Sequence, residues 1–115
     1  MILKVSKNDL FYTWLSWLQP LIPLTEIERK VLAAYITLHY LHKDRYSKEV
    51  LNELLMSEDT KKIVAKKLKV NHSIVNKVLK KFEETKVMSK DGLNPSLTNY
   101  PKNNRFKINI EFEIV

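Results

Sequence analysis

The sequence predicts a mainly α-helical fold with a C-terminal β-hairpin, and three observations carry that reading. Apolar residues recur with a 3.6-residue period through residues 25–43 and again through 60–88, the spacing of helices with one buried face. The terminal stretch RFKINIEFEIV, residues 105–115, alternates polar and apolar side chains from Arg105 through Ile114, the period of a half-buried strand. Between these lie the only glycine, Gly92, and Pro95 and Pro101, which mark turn and loop.

A chain of 115 residues is the length of one domain, and 44% hydrophobic residues are enough for a core. The absence of cysteine excludes a disulfide framework, a cysteine zinc site and a thiol nucleophile. With 29% charged residues and a single glycine, the composition is that of a helix-rich soluble protein rather than a low-complexity tract. The chain reads as an N-terminal piece, 1–24, and a main domain, 25–115.

Met1, Leu3 and Val5 alternate, which predicts a short strand; the start does not resemble a signal peptide. Residues 10–24, LFYTWLSWLQPLIPL, carry no charge. Asn8 or Asp9 is placed to cap a helix presenting Leu10, Trp14, Trp17, Leu18 and Leu21, which Pro20 and Pro23 end or kink. At about 15 residues it is shorter than the roughly 20 a membrane span needs, and it has no Lys or Arg to meet lipid headgroups. No membrane partner is expected. Two roles stay open: a helix closing the core, or an exposed oligomerisation or docking surface marked by Trp14 and Trp17.

Thr25-Glu26-Ile27-Glu28 forms a capping box that opens a helix to about Lys43. Ile27, Val31, Leu32, Tyr35 and Leu38 make one apolar face, and Ile36, Tyr40 and Leu41 a second, so burial on two sides is expected. His39 and His42 stand three apart, but no third ligand accompanies them; no metal or other cofactor is expected. Asp44-Arg45-Tyr46-Ser47 breaks the helix. Ser47 then caps a short one carrying Val50, Leu51, Leu54, Leu55 and Met56, expected to cover the back of the helix pair between Thr60 and Met88.

Ser57 or Asp59 caps the next helix, and Thr60 to Met88 reads as two helices joined by a tight turn. The first carries Ile63, Val64 and Leu68 on one side with Ala65 between them; the second carries Val75, Val78, Leu79 and Phe82. Asn71 or Ser73 can accept from the free N–H groups that open the second helix. The pattern is a helix-turn-helix, and such motifs lay their second helix in the DNA major groove. Residues 60–90 hold ten lysines against Glu83 and Glu84, a local charge of +8, which leaves the rest of the chain near −1 of the total +7. Charge concentrated in this way is an electrostatic footprint for phosphates; a solvated lysine-rich surface shaped by AT-rich codon usage is the alternative.

After Phe82, Val87 to Gly92 reads as a short strand running into a turn. A loop from Leu93 to Asn104 leads to the terminal strand, with Phe106, Ile108, Ile110, Phe112 and Ile114 on one face. The other face passes from Arg105 and Lys107 near the loop to Glu111 and Glu113 at the end, which suits a loop lying beside phosphate.

Helix, helix, helix, strand, loop and strand is the order of a winged helix. From Val64 the residues VAKKLKVNHSIVNKVLKKFEETKVM resemble winged-helix and LuxR-like bacterial regulators, and LTEIERKVLAAY resembles the opening of such domains. The resemblance covers roughly residues 24–90. It implies a winged helix-turn-helix over 25–115 that binds double-stranded DNA as a cytoplasmic transcription regulator. A second resemblance, running through the whole chain and including the LNPSL segment, is to small helix-turn-helix-like proteins of tailed phages, notably those infecting Bacteroides and its relatives. This implies a virion structural or assembly protein acting in the host cytoplasm or the virion. Two departures stand out. Lys69 and Lys86 occupy turn positions where such families place glycine, so differently shaped turns are expected. Ile74 stands where the family has Ser or Thr facing DNA, and it suits either a thymine methyl or another protein chain.

For DNA binding, the base-reading candidates are His72, Ser73, Asn76, Lys77 and Lys80, with Asn76 foremost because its amide pairs bidentately with adenine. The phosphate-contact candidates are Lys61, Lys62, Lys66, Lys81, Lys90, Arg105 and Lys107, which position without reading sequence. For assembly, Trp14, Trp17 and Ile74 are the interface candidates toward a homo-oligomer or other protein chains, and the terminal strand offers an edge. An enzyme is not expected, since no nucleophile with a base, metal cluster or phosphate loop is present.

Overall fold

The computed structural model describes residues 4–6, 9–17, 23–89, 92–94 and 113–114. Five helices and two short strands succeed one another: α1 Leu10–Trp17, α2 Glu26–His42, α3 Lys48–Leu55, α4 Glu58–Leu68, α5 His72–Glu84, β1 Met88–Ser89 and β2 Gly92–Leu93. The protein is mainly helical with a small two-stranded antiparallel sheet.

Helix α2 is the hub. Its start is the expected capping box: the Thr25 hydroxyl accepts from Glu28 N at 3.3 Å, and the Glu28 carboxylate accepts from Thr25 N at 2.8 Å. Val31 through Thr37 are all buried, because α1, α3, α4 and α5 all pack against this helix. Burial is therefore fuller than two-sided along that stretch, while Leu41, placed by its spacing on the second apolar face, is 47% exposed.

Helix α1 closes the core over α2 with Phe11 and Leu15, each 1% exposed. The Phe11 ring meets Tyr40 of α2 edge-on at 5.6 Å. This corrects the expected face of Leu10, Trp14 and Trp17: Leu10 and Trp14 are only partly buried, and the inward face is turned by one residue. The segment is apolar nearly all round, so periodicity leaves its inward face open. The Trp17 side chain, Leu18 and Leu21 lie outside the described residues. The Asp9 carbonyl accepts from Thr13 N at 2.9 Å to open the helix, and its carboxylate takes the Ser6 hydroxyl at 2.8 Å. Residues 4–6, Val5 among them, form no strand; Met1 and Leu3 lie outside the description.

Ser47 and Ser57 open α3 and α4 by accepting from Val50 N and Thr60 N. Helix α3 turns Leu51 and Leu55 inward and leaves Val50 and Leu54 43% and 44% exposed. In α4 the buried pair is Val64 and Ala65, whereas Ile63, expected beside Val64, is 57% exposed. Helix α5 buries the four residues its spacing indicates, Val75, Val78, Leu79 and Phe82. Asn71 occupies its N-cap but makes no side-chain cap hydrogen bond.

The two glycine-less turns keep the shape glycine usually serves, contrary to expectation. Lys69 has φ 57° and Lys86 φ 62°. After α4, Val70 N donates to Ala65 O at 3.0 Å and Lys69 N to Lys66 O at 3.2 Å; after α5, Val87 N donates to Phe82 O at 2.9 Å and Lys86 N to Glu83 O at 3.3 Å. These are the paired bonds of a Schellman motif, which closes a helix by a left-handed residue. A lysine there carries a strain of about 1–2 kcal/mol, accepted because the next residue, Val70 or Val87, packs against the core.

The chain then forms a small hairpin in which Met88 pairs with Leu93 and Ser89 with Gly92. Strand β1 lies on α5 and β2 on α3, so α3 backs the sheet. Gly92 is favoured by its φ of +116°, which L side chains rarely adopt; a Cβ there would also stand 2.5 Å from Asn52 Oδ1, so that side chain would have to shift. Most of the expected loop from Leu93 to Asn104 and of the strand from Arg105 lies outside the described residues. Glu113 and Ile114, the described part of that strand, lie in no strand.

Lys69→Gly and Lys86→Gly should each raise stability by about 0.5–1 kcal/mol, relieved strain being partly offset by glycine's greater chain entropy. Gly92→Ala should lower it by about 1–3 kcal/mol. Urea unfolding midpoints read both signs.

Candidate nucleic-acid interface

Because Val75, Val78, Leu79 and Phe82 face the core, a helix of 3.6 residues per turn directs Ser73, Asn76, Lys77 and Lys80 outward. All four are exposed, and His72, one turn before Asn76, is partly buried. Ile74 is 38% exposed at the front of the helix.

Nine lysines between residues 61 and 86 are described, and two of them are committed within the fold. Lys61 Nζ lies 3.0 Å from Glu58 Oε1, and Lys81 Nζ lies 2.6 Å from Glu28 Oε2. The other seven, Lys62, Lys66, Lys67, Lys69, Lys77, Lys80 and Lys86, are exposed and have no ion-pair partner among the described residues. Of the phosphate-contact candidates, Lys62 and Lys66 have no ion-pair partner among the described residues, Lys61 and Lys81 are engaged, and Lys90, Arg105 and Lys107 lie outside the described residues.

Glu28 fixes α5 to α2. It is 4% exposed and serves both Thr25 and Lys81. Burial pushes its carboxyl up, but the Lys81 ammonium and the Thr25 donors outweigh that, and the net shift is below the ordinary 4.5. Nothing local signals the pairing, since the two residues lie far apart in the chain and meet only when α2 and α5 pack.

At the start of α5 a second polar chain forms. Asn76 Nδ2 and His72 Nδ1 are 3.1 Å apart; His72 Nε2 lies 3.2 Å from Glu58 Oε2 but is buried without a hydrogen-bond partner among the described residues, so this approach is electrostatic only. Glu58 is thus shared between His72 and Lys61. A groove of about 340 Å³ runs alongside, lined by Met56, Lys61, Asn76, Leu79, Lys80, Glu83, Met88 and Ser89. It brings two base-reading candidates, Asn76 and Lys80, next to β1. Sequence spacing places these two on one helix face; the part played by Met88 and Ser89 emerges only in three dimensions.

Of the interface candidates, Trp14 sits partly buried with its ring 6.4 Å from that of Phe11, and Ile74 stands open. Among the described residues no helix is long and apolar enough to cross a membrane, and no three side chains are grouped to hold a metal ion. No family model, curated protein or solved structure matches this chain.

Replacing Glu28 separates its two roles. Glu28→Ala should cost about 1.5–3 kcal/mol, combining a lost cap with a broken, half-exposed ion pair; Glu28→Gln, which keeps an acceptor for Thr25 N, should cost about half. Because the folded-state pKa is depressed, the carboxylate's contribution is complete above the ordinary 4.5 and is lost as pH falls below it. Unfolding free energy measured against pH should decline in that acid window for the native chain and more shallowly for Glu28→Gln.

Proposed function

We propose that this protein binds double-stranded DNA through a winged helix-turn-helix, with α5 in the major groove, and acts in transcriptional regulation. The observation that supports this reading most is the set of seven exposed lysines on and beside α4 and α5 without ion-pair partners among the described residues. A fold that already spends Glu28 and Glu58 on Lys81 and Lys61 leaves the others available to phosphate oxygens, which would release counterions on contact. The outward residues of α5 supply the readers: Asn76 for adenine, Lys77 and Lys80 for guanine or phosphate, and Ile74 for a thymine methyl. The hairpin at Met88–Leu93 following α5 is compatible with this reading, in which it would begin the wing.

A second reading, a virion assembly protein making protein contacts, draws on exposed apolar side chains: Ile63, Ile74, Val50 and Leu54. Trp14 contributes less, being partly spent on the core.

With about five lysines meeting phosphates, the logarithm of the binding constant should fall against the logarithm of salt with a slope of about −4 to −5. Lys77→Glu with Lys80→Glu should abolish binding, and Lys81→Gln should weaken it little, since Lys81 is engaged by Glu28. Fluorescence anisotropy with a labelled duplex at several salt concentrations measures all three. Absence of duplex binding at low salt overturns the proposal; a stable oligomer dispersed by Ile74→Asp would favour assembly.

A further inference from the structure

We infer that this protein associates with a second copy of itself, the acidic apolar face of α3 on one copy docking on the basic apolar face of α4 on the other. The inference does not rest on DNA binding, and its surfaces are separate from the outward residues of α5.

Helix α3 buries Leu51 and Leu55 and leaves Val50 and Leu54, one helical turn apart, open to solvent. Glu49 and Glu53 stand beside them, both exposed. These two carboxylates are four residues apart, so they are neighbours on the helix surface and repel one another. Neither has an ion-pair partner among the described residues.

Helix α4 repeats the arrangement with the opposite sign. The segments EVLNELL, 49–55, and KIVAKKL, 62–68, align without a gap. Leu51 and Val64 correspond and are buried; Val50 and Ile63 correspond and are exposed; Lys62 and Lys66 stand where α3 has Glu49 and Glu53. Lys62 and Lys66 repel as the two glutamates do. Lys67 replaces Leu54, and its methylene stem can cover apolar surface while the ammonium reaches a carboxylate. Within one chain no ion pair joins α3 to α4 among the described residues. Between two copies, Lys66 and Lys67 meet Glu49 and Glu53 while Ile63 lies on Val50 and Leu54, so both repulsions are relieved and opposite potentials face each other. Another basic chain would satisfy α3 alone, whereas a second copy satisfies both faces. Two copies that exchange both faces make a closed pair, and copies that pass one face along make a ring or a chain. The same charges meet in each.

Light scattering from the whole chain, with no nucleic acid present, tests this. The measured mass should rise above that of one chain with increasing concentration, and should fall back as salt approaches 1 M, where screening acts within about 3 Å. Glu49→Lys with Glu53→Lys should weaken association about a hundredfold, and so should Lys66→Glu with Lys67→Glu. Mixing these two double variants should restore association, because each supplies the charge that the other lacks; a loss through misfolding would not be restored. A native chain that stays monomeric at high concentration and low salt overturns the inference. Association that the charge reversals leave unchanged, or that mixing does not restore, overturns it as well.

Discussion

A buried carboxylate joins the two helices that matter most. Glu28 sits at the first turn of α2, the helix against which all the others pack, and it both closes that helix and takes the Lys81 ammonium of α5. Burying an ionised group is costly unless its oxygens are satisfied, and here a backbone N–H and a lysine satisfy them. The charge is thus tolerated only when α5 lies in one position against α2. The apolar face of α5, Val75, Val78, Leu79 and Phe82, supplies most of the adhesion at about 1.5–3 kcal/mol for each fully buried side chain. The ion pair contributes orientation.

Fixing α5 in this way fixes what it shows to solvent. With one face in the core and Lys81 tied back to α2, the outward face carries Ser73, Asn76, Lys77 and Lys80. Both neighbouring turns hold a lysine in a left-handed conformation, where glycine would relieve the strain. On the proposed reading this trade makes sense, because each strained lysine adds a cation next to the helix that meets phosphate. The contacts of His72 with Asn76 and Glu58, and of Glu58 with Lys61, bring the start of α5 beside the start of α4.

Features decided within a few residues were legible in the sequence. The caps at Thr25, Ser47 and Ser57 and the buried set of α5 arise from local hydrogen bonding and from helical period, so they were readable directly. The inward face of α1 was not, because LFYTWLSW is apolar in nearly every direction and only contact with α2 selects Phe11 and Leu15. Ile63 misleads for a related reason: adjacent apolar residues leave the inward face of α4 open, and packing selects Val64 and Ala65 while Ile63 stays exposed. In the candidate site, residue type and exposure were legible for Asn76, Lys77 and Lys80. The engagement of Lys81 by Glu28 and of His72 by Glu58 was not, since both arise where separate helices pack. The left-handed lysines had a readable signal in the absence of glycine; its meaning, a strained turn of unchanged shape, required the backbone.

The central claim is that the outward face of α5, held by Glu28 and Lys81, is the surface that meets DNA. Backbone amide shifts recorded while a short duplex is titrated into labelled protein test it most directly. The account predicts perturbations concentrated at Ser73, Asn76, Lys77 and Lys80, with α1 and the exposed face of α3 unmoved. Perturbations centred on Val50 and Leu54, or none at low salt, would contradict it.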